Sequence, residues 1–172
     1  MANAIMTTLR DEFADLNDPE QFMRVALRLL VAVLLGAVVG YERERHGKTA
    51  GLRTHMLVAL GVALVIVSAE QSGVGPSDMT RVLQGLFAGI GFLGAGAILK
   101  LDDQERVKGL TTAASIWATA AIAAAAGLGR EATAVLATVL TYVILAVLLK
   151  LEQRMDRKAP ADDAASGKAP RD

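Results

Sequence analysis

The chain has 172 residues, 53% of them hydrophobic but only 4% aromatic, with 18 basic and 18 acidic side chains and no cysteine. The length suits one domain, and zero net charge gives no bulk electrostatic case for binding nucleic acid. The missing cysteines exclude disulfides, thiolate metal sites and cysteine nucleophiles together. An apolar fraction built from Ala, Val, Leu and Gly is that of a membrane protein.

Residues 1–21 form an acidic tail with Asp11, Glu12, Asp15, Asp18 and Glu20 against a lone Arg10, which is not the basic start of a cleaved signal. Five apolar segments follow, near 22–41, 53–70, 82–100, 109–127 and 131–150. Each approaches the roughly 20 residues that cross a bilayer as helix. The expected fold is all-α, a polytopic membrane bundle of about five transmembrane helices spanning 22–150. Residues 151–172 lack periodicity at their end and read as a disordered cytoplasmic tail. Thirteen of the eighteen Lys and Arg fall on one side of this arrangement. The N-terminus is therefore expected outside and the C-terminus in the cytoplasm.

In the first helix Arg24 and Arg28 sit at the outer end, where long stems are expected to snorkel to headgroups. Gly36 and Gly40 form a GxxxG, a spacing that lets helix backbones approach closely. The connection GYERERHGKTAGLRTH, residues 40–55, concentrates charge. Gly47 offers a helix stop, Gly51 a joint, Glu42 and His46 lie one turn apart, and Arg53 is placed to pair with Glu42. Before the third helix, Asp78 is expected to cap and to pair with Arg81. That helix, GLFAGIGFLGAGAI, repeats the GxxxG at Gly85 and Gly89. Gly89, Gly91, Gly94 and Gly96 fall on several faces, so either they merely pack or 89–96 is partly unwound and lines a polar pocket or a bend.

The fourth helix is Ala-rich, a smooth rod with Thr111, Ser115 and Thr119 at four-residue steps along one face. Its Trp117 lies near mid-span and is expected to need an internal acceptor or a cavity water for the indole N–H. No Asp or Glu falls at the centre of any span, unlike conventional ion pathways. GKTAGLRT lacks the phosphate-loop spacing, and no paired nucleophile and base points to an enzyme. Two His nine residues apart, with no Cys, are weak evidence for zinc. For Mg2+ the candidate ligands are Glu42, Asp102 and Asp103, all on the cytoplasmic side.

Three stretches in order, ERERHGKTAGLRTHMLVALG, SDMTRVLQGLFAGIGFLGAGAIL and VKGLTTAASIWATAAIAAAAG, resemble the MgtC/SapB family of bacterial membrane proteins. The resemblance covers roughly residues 24–145 and is carried above all by GIGFLGAG followed by GLTTAA. It implies a multi-pass protein of the bacterial inner membrane, in the short form that lacks the soluble C-terminal domain of pathogen members. The residues it singles out are Glu42, Lys48, Gly51, Arg53, Thr54, His55, Asp78, Arg81, Gly89, Gly91, Gly94, Gly96, Gly109, Thr111, Thr112 and Trp117. It further implies a non-enzymatic regulator in adaptation to low magnesium or membrane-energy stress, with no cofactor beyond an unproven Mg2+. Expected partners are the lipid bilayer, a second copy, a dimer being the simplest assembly, and another inner-membrane protein such as the ATP synthase. The alternative is a carrier or channel for Mg2+ or another small solute.

Overall fold

The computed structural model describes residues 1, 5–8, 18–100 and 107–156. Five long helices follow one another up and down: α1 (Pro19–Arg45), α2 (Leu52–Gln71), α3 (Pro76–Gly96), α4 (Leu110–Gly127) and α5 (Glu131–Asp156). Between α3 and α4, β1 (Leu99–Lys100) pairs antiparallel with β2 (Val107–Lys108). The predicted third helix therefore ends at Gly96 rather than 100. Its start moves back to Pro76, where a proline at the first helical position has no N–H to lose. At the other extremes α1 begins at Pro19, capped by Asp18 accepting from the Glu20 N–H at 3.1 Å, and α5 runs on to Asp156. The rest of the expected C-terminal tail and most of the N-terminal one lie outside the described residues.

The turns follow local chemistry. Gly47, at φ +63°, lets the Gly47 and Lys48 N–H groups close back on the Glu44 and Arg43 carbonyls, ending α1 as its sequence predicts. Glu44 then reaches across to accept from the Leu52 N–H at 2.8 Å and caps α2 from outside. α3 is capped by Gly75 with no side-chain bond, so Asp78 does not cap it. Asp78 is an exposed first-turn residue with Arg81 at 3.8 Å, the expected pair.

α4 is the hub and packs against all four other helices. Its Ala120, Ala123 and Ala126 are fully buried. Gly36 and Gly40 bring α1 onto α2 so closely that a Cβ on Gly36 would lie 2.8 Å from Ala59 Cβ, and one on Gly40 2.8 Å from Leu52 Cα. The second GxxxG does nothing comparable: added Cβ atoms on Gly85, Gly89, Gly91 and Gly96 meet nothing within 4 Å, and on Gly94 only an ordinary contact with Ala113. α3 runs as uninterrupted α-helix through all of them, so 89–96 is not unwound. Glycine weakens a helix, but a backbone that satisfies its own hydrogen bonds is the cheapest state away from water.

Polarity is inverted relative to a water-soluble domain. The largest fully buried side chains include Arg43, His55 and Thr119, while Val135, Leu136, Val139, Leu140, Val143, Ile144 and Val147 leave one side of α5 exposed. Exposing seven such groups to water would forfeit on the order of 10 kcal/mol, as much as an entire domain's stability. In hydrocarbon there is no such loss. α1, α2 and α4 are each long and apolar enough to cross a membrane; the described apolar part of α5, Glu131–Val147, is shorter, and the 21 residues of α3 are diluted by glycine and by Asp78 and Arg81. The fold is an all-helical polytopic membrane bundle.

Candidate functional site

Up-and-down order places the α1–α2 and α3–α4 connections at one end, here called the basic end. A polar cluster is buried just beneath it. Along α1, Gly36, Gly40 and Arg43 share one helical face, so the stripe that presses α1 onto its neighbours ends in an arginine. Arg43 is 1% exposed, Glu42 2% and His55 0%. From α4, Thr112, Ser115 and Thr119 are buried opposite them, whereas Thr111 is exposed, one position out of phase with the expected hydroxyl face.

Arg43 Nη2 donates to Thr112 Oγ1 at 3.3 Å. His55 Nδ1 donates to the Gly51 carbonyl at 2.9 Å, which assigns the Nδ1–H tautomer and places Nε2 3.2 Å from Ser115 Oγ. Ser115 Oγ donates its single proton to the Thr112 carbonyl at 2.8 Å. The imidazole thus ties the start of α2 to the first turns of α4. Glu42 faces Arg43, with Oε2 3.9 Å from Nη1, and His46, whose Nδ1 is 3.0 Å from Oε1 and 2.8 Å from the Glu42 carbonyl. One N–H serves one acceptor, and it serves the carbonyl. Among the described residues, both Glu42 carboxylate oxygens, Arg43 Nε and Thr119 Oγ1 are buried without a hydrogen-bond partner. Such groups are costly in a low dielectric, which marks the cluster as more than packing.

Above the cluster opens a cavity of about 460 Å³ lined by Arg43, Lys48, Thr49, Lys108, Thr111 and Thr112, with Gly109 at its edge. Gly109 begins α4 at φ +97°, and a Cβ there would overlap the Ala97 carbonyl oxygen. Glycine is therefore required for α3 to return this tightly into α4.

Of the residues singled out from sequence, Glu42, Lys48, Gly51, His55, Gly109, Thr111 and Thr112 gather at this end. Arg53 and Thr54 are exposed at the start of α2, and Glu42 pairs with Arg43 and His46 instead of Arg53 because Arg53 turns to the surface of its helix. Asp78 and Arg81 are at the opposite end, and Gly89, Gly91, Gly94 and Gly96 lie along α3. Trp117 is 52% exposed on the outside of α4 and tilts against Phe87 at a ring-centroid distance of 5.3 Å, not into the bundle. Among the described residues no group of three or more His, Asp or Glu could hold a metal ion; Asp102 and Asp103 lie outside those residues.

Sequence reasoning missed Arg43 and the staple at the opposite end. Arg28 does not snorkel outward: its side chain is 12% exposed, its Nη1 pairs with Glu70 at the end of α2 and donates to the Gly127 carbonyl at the end of α4 at 3.2 Å. A signal existed, since antiparallel order puts residue 28 of α1 and residue 70 of α2 at the same depth.

The fold and cluster define a small polytopic membrane protein with a polar site buried under its basic end. Residues 29–154 match the MgtC family, and the chain belongs to that family. It is 40% identical to protein SrpB of Synechococcus elongatus over 77% of this chain and 79% of that one. It is likewise 40% identical to protein MgtC of Salmonella typhimurium over 76% of this chain and 55% of the relative, and 41% identical to protein MgtC of Brucella abortus over 74% and 52%. The chain thus spans just over half the length of those MgtC relatives. No solved structure matches it.

Proposed function

We propose that this chain is a non-enzymatic regulator of the bacterial inner membrane that acts in adaptation to low magnesium or membrane-energy stress by helix-to-helix contact with another membrane protein. The observation that carries this reading is a groove of about 480 Å³ between α2 and α3, walled by Gly61, Gly85 and Gly89 and otherwise by apolar side chains such as Leu57, Ile90 and Leu93. All three glycines are open to the outside. At bilayer depth, small residues on both walls with no charge at the rim fit an apolar transmembrane helix, which gains packing there that lipid tails do not give. The occupant is a helix of a partner protein, the ATP synthase being one candidate; a second copy is the competing occupant. The carrier reading is weaker because the cavity at the basic end is lined, among the described residues, by three cations, which oppose a divalent cation.

The test is copurification from cells grown in low magnesium. A partner should be retained at fixed stoichiometry by the wild type and lost from a Gly85→Leu, Gly89→Leu variant that still folds. Retention unaffected by those substitutions, or Mg2+ flux into proteoliposomes above empty vesicles, would sink the proposal.

A further inference from the structure

The polar cavity at the basic end is independent of the α2–α3 groove and has its own chemistry. Its floor is Arg43, buried to within 1% yet spending only one N–H, toward Thr112 Oγ1; its Nε has no partner among the described residues, and Nη1 faces Glu42 at 3.9 Å, beyond hydrogen-bond reach. A guanidinium offers five donors, and burying them unmet is expensive unless something with several acceptors meets them. Its edge is the start of α4, an 18-residue helix whose N-cap is Gly109 and which has no side-chain cap. The first N–H groups of such a helix, with the positive end of its dipole, face whatever sits there. Its walls add the ammonium groups of Lys48 and Lys108 and the hydroxyls of Thr49 and Thr111. Among the described residues that line the cavity none is a carboxylate, so that lining is net positive, and Glu42 Oε2 lies 3.9 Å from Arg43 Nη1.

We infer that this cavity is an anion site for a phosphate monoester, held by the Arg43 fork and the α4 N-terminus and flanked by Lys48 and Lys108. A tetrahedral dianion has enough acceptor positions for a guanidinium fork, two ammonium groups and helix N–H groups at once, whereas a chloride or a single carboxylate would leave most of them unmet. The volume of about 460 Å³ admits a phosphate together with the group it is attached to. A phosphatidate headgroup and a soluble phosphate share this chemistry.

The experiment uses the full purified chain in two arms: calorimetric titration with inorganic phosphate in detergent, and native mass spectrometry of protein from nanodiscs of phosphatidylcholine with or without phosphatidate. Arg43→Gln is the direct variant. Because removing a buried arginine can itself unfold the chain, a Lys48→Gln, Lys108→Gln variant changes only exposed side chains, and Arg81→Gln at the opposite end is the charge control. The expected result is saturable binding in at least one arm, weakened about tenfold in the lysine double variant, equivalent to about 1.4 kcal/mol, and unchanged in Arg81→Gln. Binding confined to the nanodisc arm makes the source a lipid headgroup; binding confined to inorganic phosphate makes it soluble. Absence of binding in both arms overturns the assignment, as does equal weakening by Arg81→Gln. So does binding that emerges only after Asp102→Asn and Asp103→Asn, which would make the chain's own carboxylates the occupant.

Discussion

The two GxxxG pairs should respond to alanine with opposite signs. At Gly36 the added Cβ lies 2.8 Å from Ala59 Cβ and 2.8 Å from the His55 carbonyl oxygen. Carbon contacts settle at about 3.5–4.0 Å, so α1 and α2 must part by on the order of 1 Å. Both obstacles are short or backbone, so neither can swing aside, and overpacking of this kind costs about 1–3 kcal/mol. At Gly85 the same methyl meets nothing within 4 Å. Both positions are helix interiors, so the gain of about 1 kcal/mol from replacing Gly by Ala applies equally and cancels in the comparison. Gly36→Ala should therefore be less stable than Gly85→Ala by about 1–3 kcal/mol, with Gly85→Ala at or above wild type. Reversible unfolding of both variants as monomers in detergent measures the difference. Equal stability, or a loss at Gly85 with the oligomeric state unchanged, would refute the packing assigned here.

Three further outcomes are expected. Breaking the buried pair with Arg43→Met leaves the buried Glu42 without its arginine and should cost about 3–5 kcal/mol; adding Glu42→Gln should recover part of that in the same unfolding assay, and strictly additive losses would deny the coupling. Arg28→Lys keeps the charge but not the fork that reaches both Glu70 and Gly127, so a loss of about 1–2 kcal/mol is expected, checked against Arg24→Lys, whose exposed pair with Glu20 should be nearly neutral. Because the chain has no cysteine, single cysteines at Lys48 and Arg81 report topology directly. An impermeant thiol reagent outside intact cells should label the Arg81 position and spare the Lys48 position, and the reverse pattern would invert the orientation.

The residues decide much of this protein before any folding is considered. Five apolar stretches near bilayer length, separated by short charged connections, leave helices as the sole way to satisfy the backbone, and the Lys and Arg count predicts their orientation. The stop at Gly47 is local, because a positive φ suits glycine wherever the neighbours are. The charges and small residues of the middle were less legible, because their meaning depends on what lies opposite. Gly36 and Gly85 stand in identical motifs, yet only the first faces a backbone; the second faces outward because α3 packs mainly on α4 and leaves its glycine side open. Arg43 reads as one more charge in a boundary cluster until helical phase carries it onto the glycine face of α1 and under α4. Arg28 reads as a snorkelling residue until Glu70 and the end of α4 arrive beside it. Periodicity and composition are properties of one segment, so the sequence determines them by itself. Which buried polar group meets which partner is a property of two or three segments at once, and only their packing decides it.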